Sequence, residues 1–275
     1  MGILWFPFGL RVGPDADVWN IHANPTQYPW FNPVLLRPFL FTTYRLSSFL
    51  FPESFVGYNL LVAACVFGKG LVMYLLLDRL LPERPAFAFL TAALLTVYPA
   101  GTFTFRANMV GYHFATLCYL AAVLLLVVYR DRPRAWVLGS MYAALALGLG
   151  TFETLLPLVL FTPILLVLME GGISRRVLRT SLLWLLIPTV LTIYLAFALL
   201  TKAGNAAYQS SRLNVPAHGL AAALADSLVH VYRQHFWMGY RTGLERLVGS
   251  AAPTSHRLLA LAAAAIVGAI GGTLY

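Results

Sequence analysis

The chain is poor in charge, and acidic residues are scarcest. Charged residues make up 11% of its 275 residues, whereas a soluble domain has about 25%. Hydrophobic residues make up 60% and the mean hydropathy is +0.75, so the composition predicts an integral membrane protein. The 19 Lys and Arg exceed the 10 Asp and Glu, which gives a net charge of +9. Because the basic residues lie between apolar runs, we expect them to set the topology and contact anionic headgroups, and we expect no nucleic-acid partner.

The motifs of common enzymes and metal sites are also missing. Cys65 and Cys118 lie within apolar runs, so we expect small core residues rather than a disulfide or a metal pair. The histidines show no HExxH or comparable spacing, and there is no glycine-rich phosphate loop, G-x-S-x-G elbow or Ser-x-x-Lys motif. The sequence therefore predicts neither a zinc site nor a serine nucleophile.

Long apolar runs dominate the chain. A membrane helix needs about 20 apolar residues, and four runs approach or exceed this length: residues 55–77, 111–129, 181–200 and 256–275. Three shorter runs are too short to cross a bilayer alone and are expected to be bundle helices: residues 86–98, 135–150 and 155–169. We predict an all-α, polytopic membrane bundle of about seven or eight transmembrane segments. Two amphipathic stretches, residues 37–51 and 219–240, are expected to be interfacial helices.

The short loops predict the orientation of the bundle. Eight Arg lie in the loops at residues 78–84, 130–134 and 174–179, whereas the alternate connections at 99–110 and 151–154 contain only Arg106. The positive-inside rule places the Arg-rich loops in the cytoplasm and the alternate connections on the outer side. Residues 1–275 are expected to form a single membrane-embedded domain that is incomplete at both ends.

Four ionisable residues fall at the predicted outer ends of different spans: Asp15, Asp17, Arg106 and Glu153. Ionisable groups at membrane depth usually line a bundle interior or a wet cavity, so the four are candidates for one shared site. Simpler roles stay open for each of them. Glu153 could cap the helix that starts near Leu155, the two Asp could lie in a solvated loop or cap a turn, and Arg106 could bind headgroups. Lys69 lies mid-span, and we favour snorkelling toward the cytoplasmic face or a structural pair for it.

The order of these features resembles that of a glycosyltransferase superfamily. The segments "RPFLFTTYRL", "YPAGTFTFRANMVGYHF" and "ALGLGTFETLLPLVLF" resemble the membrane region of the GT-C glycosyltransferases. They are most similar to the protein O-mannosyltransferases with tetratricopeptide repeats and their bacterial relatives. The resemblance covers roughly residues 10–170, and the matching positions are Arg37 with Pro38, Asn59, Pro99 with Arg106, and Glu153 with Pro157. The chain departs from the family in having Asp15-Ala16-Asp17 in place of adjacent acids, and Phe152 in place of a Lys.

The resemblance implies a hexosyltransferase, with mannose as one candidate sugar, in the inner membrane of a bacterium. Such an enzyme transfers a sugar from a polyprenyl phosphate to a hydroxyl of a protein, lipid or glycan on the outer face. Asp15 or Asp17 would be the general base, and Arg106 would hold the leaving phosphate. Glu153 would orient Arg106 or bind a sugar hydroxyl, and Arg37 and His113 are further substrate-binding candidates. A divalent cation, Mg²⁺ or Mn²⁺, stays open as a cofactor.

Two functions of other classes compete with this prediction. A secondary transporter would also place charges at membrane depth, but such proteins usually have paired halves with broken helices, and the sequence has no such repeat. A non-catalytic, lipid-binding scaffold is the other alternative. The three predictions differ in whether the outer acids and Arg106 meet around one cavity.

Overall fold

The computed structural model describes residues 16–32, 37–96 and 109–201, together with Val229. All regular secondary structure in these residues is helical. The helices are α1 (Ala16–Ala23), α2 (Thr42–Leu50), α3 (Val56–Leu80), α4 (Pro85–Thr96), α5 (Val110–Asp131), α6 (Ala135–Thr151), α7 (Leu156–Phe161), α8 (Pro163–Glu170) and α9 (Arg175–Thr201), with 3-10 turns at Pro25–Gln27 and Glu153–Leu155. The described residues up to Thr201 belong to one compact unit of residues 1–97 and 103–213. A second unit, residues 98–102 and 214–275, contributes only Val229, and the extent of the domain stays a prediction.

Four segments of the described chain are long and apolar enough to cross a membrane: Val56–Leu80, Val110–Asp131, Glu153–Glu170 and Arg175–Tyr194. Three of them match the predicted long runs. The prediction that residues 155–169 are too short was wrong, because the 3-10 turn, α7 and α8, with Thr162 as the only residue between the two helices, together reach 18 residues. The shorter apolar helices α4 and α6 lie where they were predicted. The predicted span 256–275 and the predicted interfacial helix 219–240 lie outside the described residues.

The main core lies between α3 and the helices from α5 to α9. Trp184 is completely buried, and its indole Nε1 donates a hydrogen bond of 2.7 Å to the carbonyl of Val159. Pro163 explains this bond, because a proline has no N–H to offer the carbonyl four residues earlier. The hydroxyl of Tyr119 also lies 3.0 Å from that of Thr162 at the same junction. The proline break is therefore stabilised by side chains of neighbouring helices, as membrane helices require.

A second, smaller core joins α1 and α2 to the first turns of α3 and α5. Its buried members are Val18, Ile21, Tyr44, Tyr58, Val62, Val66 and Val110. Only residues 42–50 of the predicted interfacial stretch 37–51 form a helix, and turns occupy residues 37–41. These turns place Arg37 beside the end of α6, as described below.

The three Arg-rich loops meet at one end of the bundle. Arg79 and Arg130 both pair with Asp131, at 2.9 and 2.7 Å. Arg176 donates a hydrogen bond to the backbone carbonyl of Arg130. The predicted grouping of the three loops on one side is therefore confirmed, and Glu153, which follows α6, lies at the other end of that 17-residue helix.

Candidate functional site

Glu153 and Arg37 form a two-pronged ion pair at the end of the bundle opposite the Arg-rich loops. Arg37 Nε and Nη2 donate to the two carboxylate oxygens of Glu153, each at 2.6 Å. The two side chains are 19% and 27% exposed. A parallel bidentate pair of this kind is among the strongest charge-assisted contacts in proteins. It offsets the cost of holding a carboxylate away from bulk water.

Backbone packing brings Arg37 to Glu153 across 116 residues of sequence. The Phe39 N–H donates to the carbonyl of Gly150 at 2.9 Å, which anchors the turns at residues 37–41 to the last turn of α6. Gly150 is required for this approach, since a Cβ there would lie 2.7 Å from the ring of Phe39. The Asn32 N–H donates to the Pro38 carbonyl at 2.9 Å on the other side of the turn. A glycine at the end of α6 therefore allows the turns at residues 37–41 to bring Arg37 to the carboxylate.

An aromatic stack supports the guanidinium from one face. Arg37 Cζ lies 4.9 Å from the centre of the Phe152 ring, within the range of a cation–π contact. Phe152 stacks in turn on Tyr112, with the ring centres 3.8 Å apart. A Cβ on Gly111 would lie 2.7 Å from the Phe152 ring, so the glycine makes room for the stack. Phe152 thus contacts the guanidinium of Arg37 from one face.

The pairing strengthens the positive charge of Arg37. The hydrogen bonds that Arg37 donates to Glu153 raise the pKa of Arg37 above its usual value, although burial acts in the opposite direction. A guanidinium has five N–H groups, and Glu153 accepts from two of them. Three N–H groups therefore point away from the carboxylate, and among the described residues no other acceptor is hydrogen-bonded to them. Arg37 can still bind an anion while it stays paired.

The structure does not place Glu153 in a capping role. It is the first residue of the 3-10 turn, whose cap residue is Phe152, and neither this turn nor α7 has a side-chain cap bond. The partner of Glu153 is Arg37, which is 116 residues away in the chain. The predicted contact between Glu153 and Arg106 stays a prediction, since Arg106 lies outside the described residues.

Lys69 and His113 form a second polar pair, deeper in the bundle. Lys69 is 8% exposed, and its Nζ lies 2.9 Å from His113 Nδ1 on the facing turn of α5. The snorkelling favoured for Lys69 is therefore wrong, because the ammonium reaches sideways to a histidine near the opposite end of α5 from the Arg-rich loops. The structural-pair alternative is confirmed. His113, predicted to bind substrate, is engaged with this lysine.

An apolar groove runs beside the Arg37–Glu153 pair. Its volume is about 340 Å³. It is lined by residues of the segment before α2, of α6 and of α9: Phe31, Pro38, Phe39, Ala146, Gly150, Ile187, Val190, Leu191 and Tyr194. Neither member of the charged pair lines the groove, but Pro38 and Phe39 directly follow Arg37 in the chain. The apolar lining suits an alkyl or isoprenoid chain.

Of the predicted site residues, Arg37, Glu153 and His113 are described. Asp15, Arg106 and the side chain of Asp17 lie outside the described residues, so the meeting of the outer acids with Arg106 stays a prediction. Among the residues that the structure does describe, no three His, Cys, Asp or Glu side chains are grouped to hold a metal ion. The Glu153 carboxylate is engaged by Arg37, so these residues do not fit a Mg²⁺ or Mn²⁺ site.

Comparison of the chain with protein-family models, with curated proteins and with solved structures finds no match.

Proposed function

We propose that this chain is the membrane region of a GT-C-type glycosyltransferase, a bundle of about seven or eight membrane segments in a bacterial inner membrane. It moves a hexose, with mannose as one candidate, from a polyprenyl-phosphate donor to an acceptor hydroxyl on the outer face. The acceptor is a protein, a lipid or a glycan. The observation that supports this proposal is the bidentate Arg37–Glu153 pair, which joins two positions that resemble the family's motifs.

The position of this pair suits donor binding. It lies at the end of the bundle away from the Arg-rich loops, and the apolar groove of about 340 Å³ begins beside it. A polyprenyl-phosphate sugar has an isoprenoid chain, a phosphate and a sugar in that order. In the proposal, the groove holds the first isoprene units, and the free N–H groups of Arg37 hold the phosphate. Glu153 acts as a positioning residue that fixes the guanidinium.

The transfer needs a base and an anion-binding group. The acceptor oxygen forms a bond to the anomeric carbon while the bond from that carbon to the phosphate oxygen breaks, and the electron pair leaves with the lipid phosphate. The acceptor proton passes to a carboxylate, for which Asp15 or Asp17 is proposed, and Arg106 is proposed to share the phosphate charge with Arg37. Preorganised cations of this kind act where charge develops in the transition state.

A transfer assay tests the proposal. The purified chain in nanodiscs is given a panel of radiolabelled polyprenyl-phosphate hexoses together with peptide, lipid and glycan acceptors. We expect transfer from at least one donor, and its loss in Glu153→Gln. Asp131→Asn is the matched control, because it removes a carboxylate that is paired with arginine at the other end of the bundle. Donor turnover that is absent throughout the panel contradicts the enzyme proposal.

A non-catalytic lipid-binding protein is the second candidate. The groove favours it, because an apolar channel with an adjacent arginine suits any anionic lipid with a long chain. The same assay separates the two candidates. A scaffold would retain the polyprenyl-phosphate hexose with the sugar intact, whereas the enzyme would release polyprenyl phosphate as it transfers the sugar.

A further inference from the structure

A second cavity, which contains polar side chains, lies between α1, the segment before α2, and α2 itself. Its volume is about 160 Å³, which is the space of about five water molecules at roughly 30 Å³ each. Its lining residues are His22, Trp30, Arg45, Ser48, Phe49 and Pro52. None of them lines the groove beside the Arg37–Glu153 pair.

Arg45 brings a positive charge to this cavity. None of the ion pairs among the described residues involves Arg45. Its Nε is buried and has no hydrogen-bond partner there. The guanidinium lies 5.7 Å from the centre of the Trp30 ring. The rest of the side chain is partly exposed, so the cost of a missing acceptor falls on the buried Nε–H, and an anionic ligand in the cavity would supply that acceptor.

Two further polar side chains of the cavity wall belong to a hydrogen-bond chain. The Ser48 hydroxyl lies 2.7 Å from the Tyr58 hydroxyl and 3.4 Å from His22 Nδ1. Ser48 and Tyr58 are both buried, and the His22 ring packs on Phe55, with the ring centres 4.5 Å apart. Packing therefore fixes the imidazole and the hydroxyl on the wall of the cavity that Arg45 also lines. If Tyr58 donates to Ser48, the Ser48 hydroxyl and the His22 Nε2–H can both donate to a ligand, and the three groups together suit a tetrahedral oxyanion.

The mouth of the cavity is aromatic. Trp30 and Phe49 are 41% and 72% exposed, and their rings meet edge to face at 6.4 Å. Exposed aromatic side chains of this type are typical of the headgroup level of a membrane. The cavity thus has a cationic interior and an opening suited to the membrane interface.

We propose that the Arg45 cavity binds a phosphate group, either on a lipid headgroup or as free inorganic phosphate. Arg45 supplies the charge, and His22 and Ser48 supply hydrogen bonds. The proposal concerns different residues from the sugar-transfer site and does not depend on sugar transfer.

Native mass spectrometry of the full chain tests this site. The protein is placed in phosphatidylcholine nanodiscs that contain phosphatidic acid, and the tightest phosphatidic acid site is titrated. We expect Arg45→Gln to weaken that site at least tenfold, which is about 1.4 kcal/mol. Arg79→Gln is the control, because it removes an arginine at the other end of the bundle, and we expect it to change the affinity less than twofold. Equal affinities in the wild type and Arg45→Gln overturn the proposal.

A second arm separates the two sources of phosphate. Inorganic phosphate is titrated calorimetrically into the detergent-solubilised protein. Arg45-dependent binding of both probes supports a site open to free phosphate, and binding of phosphatidic acid alone supports a headgroup site. If Arg45→Gln does not fold, Arg45→Lys replaces it, because lysine keeps the charge but loses the planar fork. We then expect at least a threefold loss of affinity, and an unchanged affinity overturns the proposal.

Discussion

The two ends of the bundle hold their carboxylates in opposite ways. Among the described residues Glu153 is paired with one arginine, Arg37, and both of its oxygens accept from it. Asp131 has two arginines, Arg79 and Arg130, and this cluster keeps an excess positive charge. The side chains at the Glu153 end are 19% and 27% exposed, against 38% for Arg79, 20% for Arg130 and 30% for Asp131, so Arg79 is the more exposed member.

This difference indicates two different uses of arginine. An excess of positive charge in an exposed loop costs little and suits the cytoplasmic leaflet, whose lipids are anionic. A neutral, more enclosed pair gives no such topology signal, and its formation needs a glycine and an aromatic stack to shape the surroundings. The first arrangement is explained by topology alone, whereas the second calls for a local role, which the proposed donor site supplies.

The largest effect is expected from the acids of the first outer segment. If this end of the bundle is catalytic, Asp15→Asn or Asp17→Asn, whichever residue is the base, lowers turnover by about 10² to 10⁴, as is typical of a lost general base. The transfer assay measures this loss, and circular dichroism checks the fold of each variant. Near wild-type turnover in both single variants would remove the first outer segment from the catalytic site.

A smaller loss is expected from Glu153→Gln. The amide keeps the size of the side chain but has only one acceptor oxygen, so one of the two hydrogen bonds that orient the Arg37 guanidinium is lost. We expect transfer activity to fall about tenfold to a hundredfold, the equivalent of about 1.4 to 2.7 kcal/mol in the transition state. The protein should stay in the membrane at normal levels. Asp131→Asn, its counterpart at the Arg-rich end, should change activity less than twofold.

The opposite pattern would assign Glu153 to the fold. A reduced yield of folded Glu153→Gln with unchanged specific activity would show that the pair serves only to anchor the outer segment to α6. The comparison between the two ends would then reduce to a difference in burial.

Features set by apolar length and by local charge could be predicted from the sequence. The spans at α3 and α5 follow from runs of about 20 apolar residues, and the common end of the three Arg-rich loops follows from their alternation along the chain. A proline such as Pro163 indicates an interruption of a helix. The hydrogen bond that compensates for it could not be predicted, because the Trp184 indole that donates to the Val159 carbonyl comes from another helix.

The contacts within the candidate site could be predicted only in part. Glu153 was predicted to orient Arg106 or to bind a sugar hydroxyl, and its pairing with Arg37 was not predicted. Arg37 is 116 residues away, and its approach depends on the Phe39 to Gly150 hydrogen bond. Lys69 and His113 are likewise brought together only by the packing of α3 on α5. Pairings of this kind depend on the tertiary arrangement, which residue type and spacing do not determine.

The energetic contrast between the ends can be measured with two double-mutant cycles. One combines Arg37→Gln with Glu153→Gln, and the other combines Arg79→Gln with Asp131→Asn. We expect coupling of about 1 to 3 kcal/mol for the enclosed bidentate pair and about 0.2 to 1 kcal/mol for the exposed pair. Arg130 lowers the second value further, since it still pairs with Asp131 when Arg79 is removed. Reversible unfolding in detergent micelles gives both values, and equal couplings would contradict the contrast.

The smallest expected effect is the acid sensitivity of the α1–α2 region. Burial lowers the pKa of His22 below its ordinary value of 6.5, because the imidazolium loses hydration there. The unfolded chain therefore binds a proton at a higher pH than the folded chain, and the stability contributed by neutral His22 is lost as the pH falls below that value. Amide hydrogen exchange in α1 should be faster at pH 5 than at pH 7.5 after correction for the intrinsic rate, and His22→Gln should reduce this difference.

Phosphate sharpens this last prediction. An anion bound beside Arg45 would favour the charged imidazole, raise the pKa of His22 and reduce the acid sensitivity. Adding phosphatidic acid to the nanodiscs should therefore slow exchange in α1 at pH 5 more than at pH 7.5. At the Arg-rich end the arginines stay charged throughout this pH range, and the lipid phosphate gains negative charge on going to pH 7.5, since its second pKa is about 6. Protection of the α3 end near Arg79 should therefore be no stronger at pH 5 than at pH 7.5. A response that is stronger at pH 5 at both ends would mean that the lipid acts on the whole bundle and that the Arg45 cavity has no special part in it.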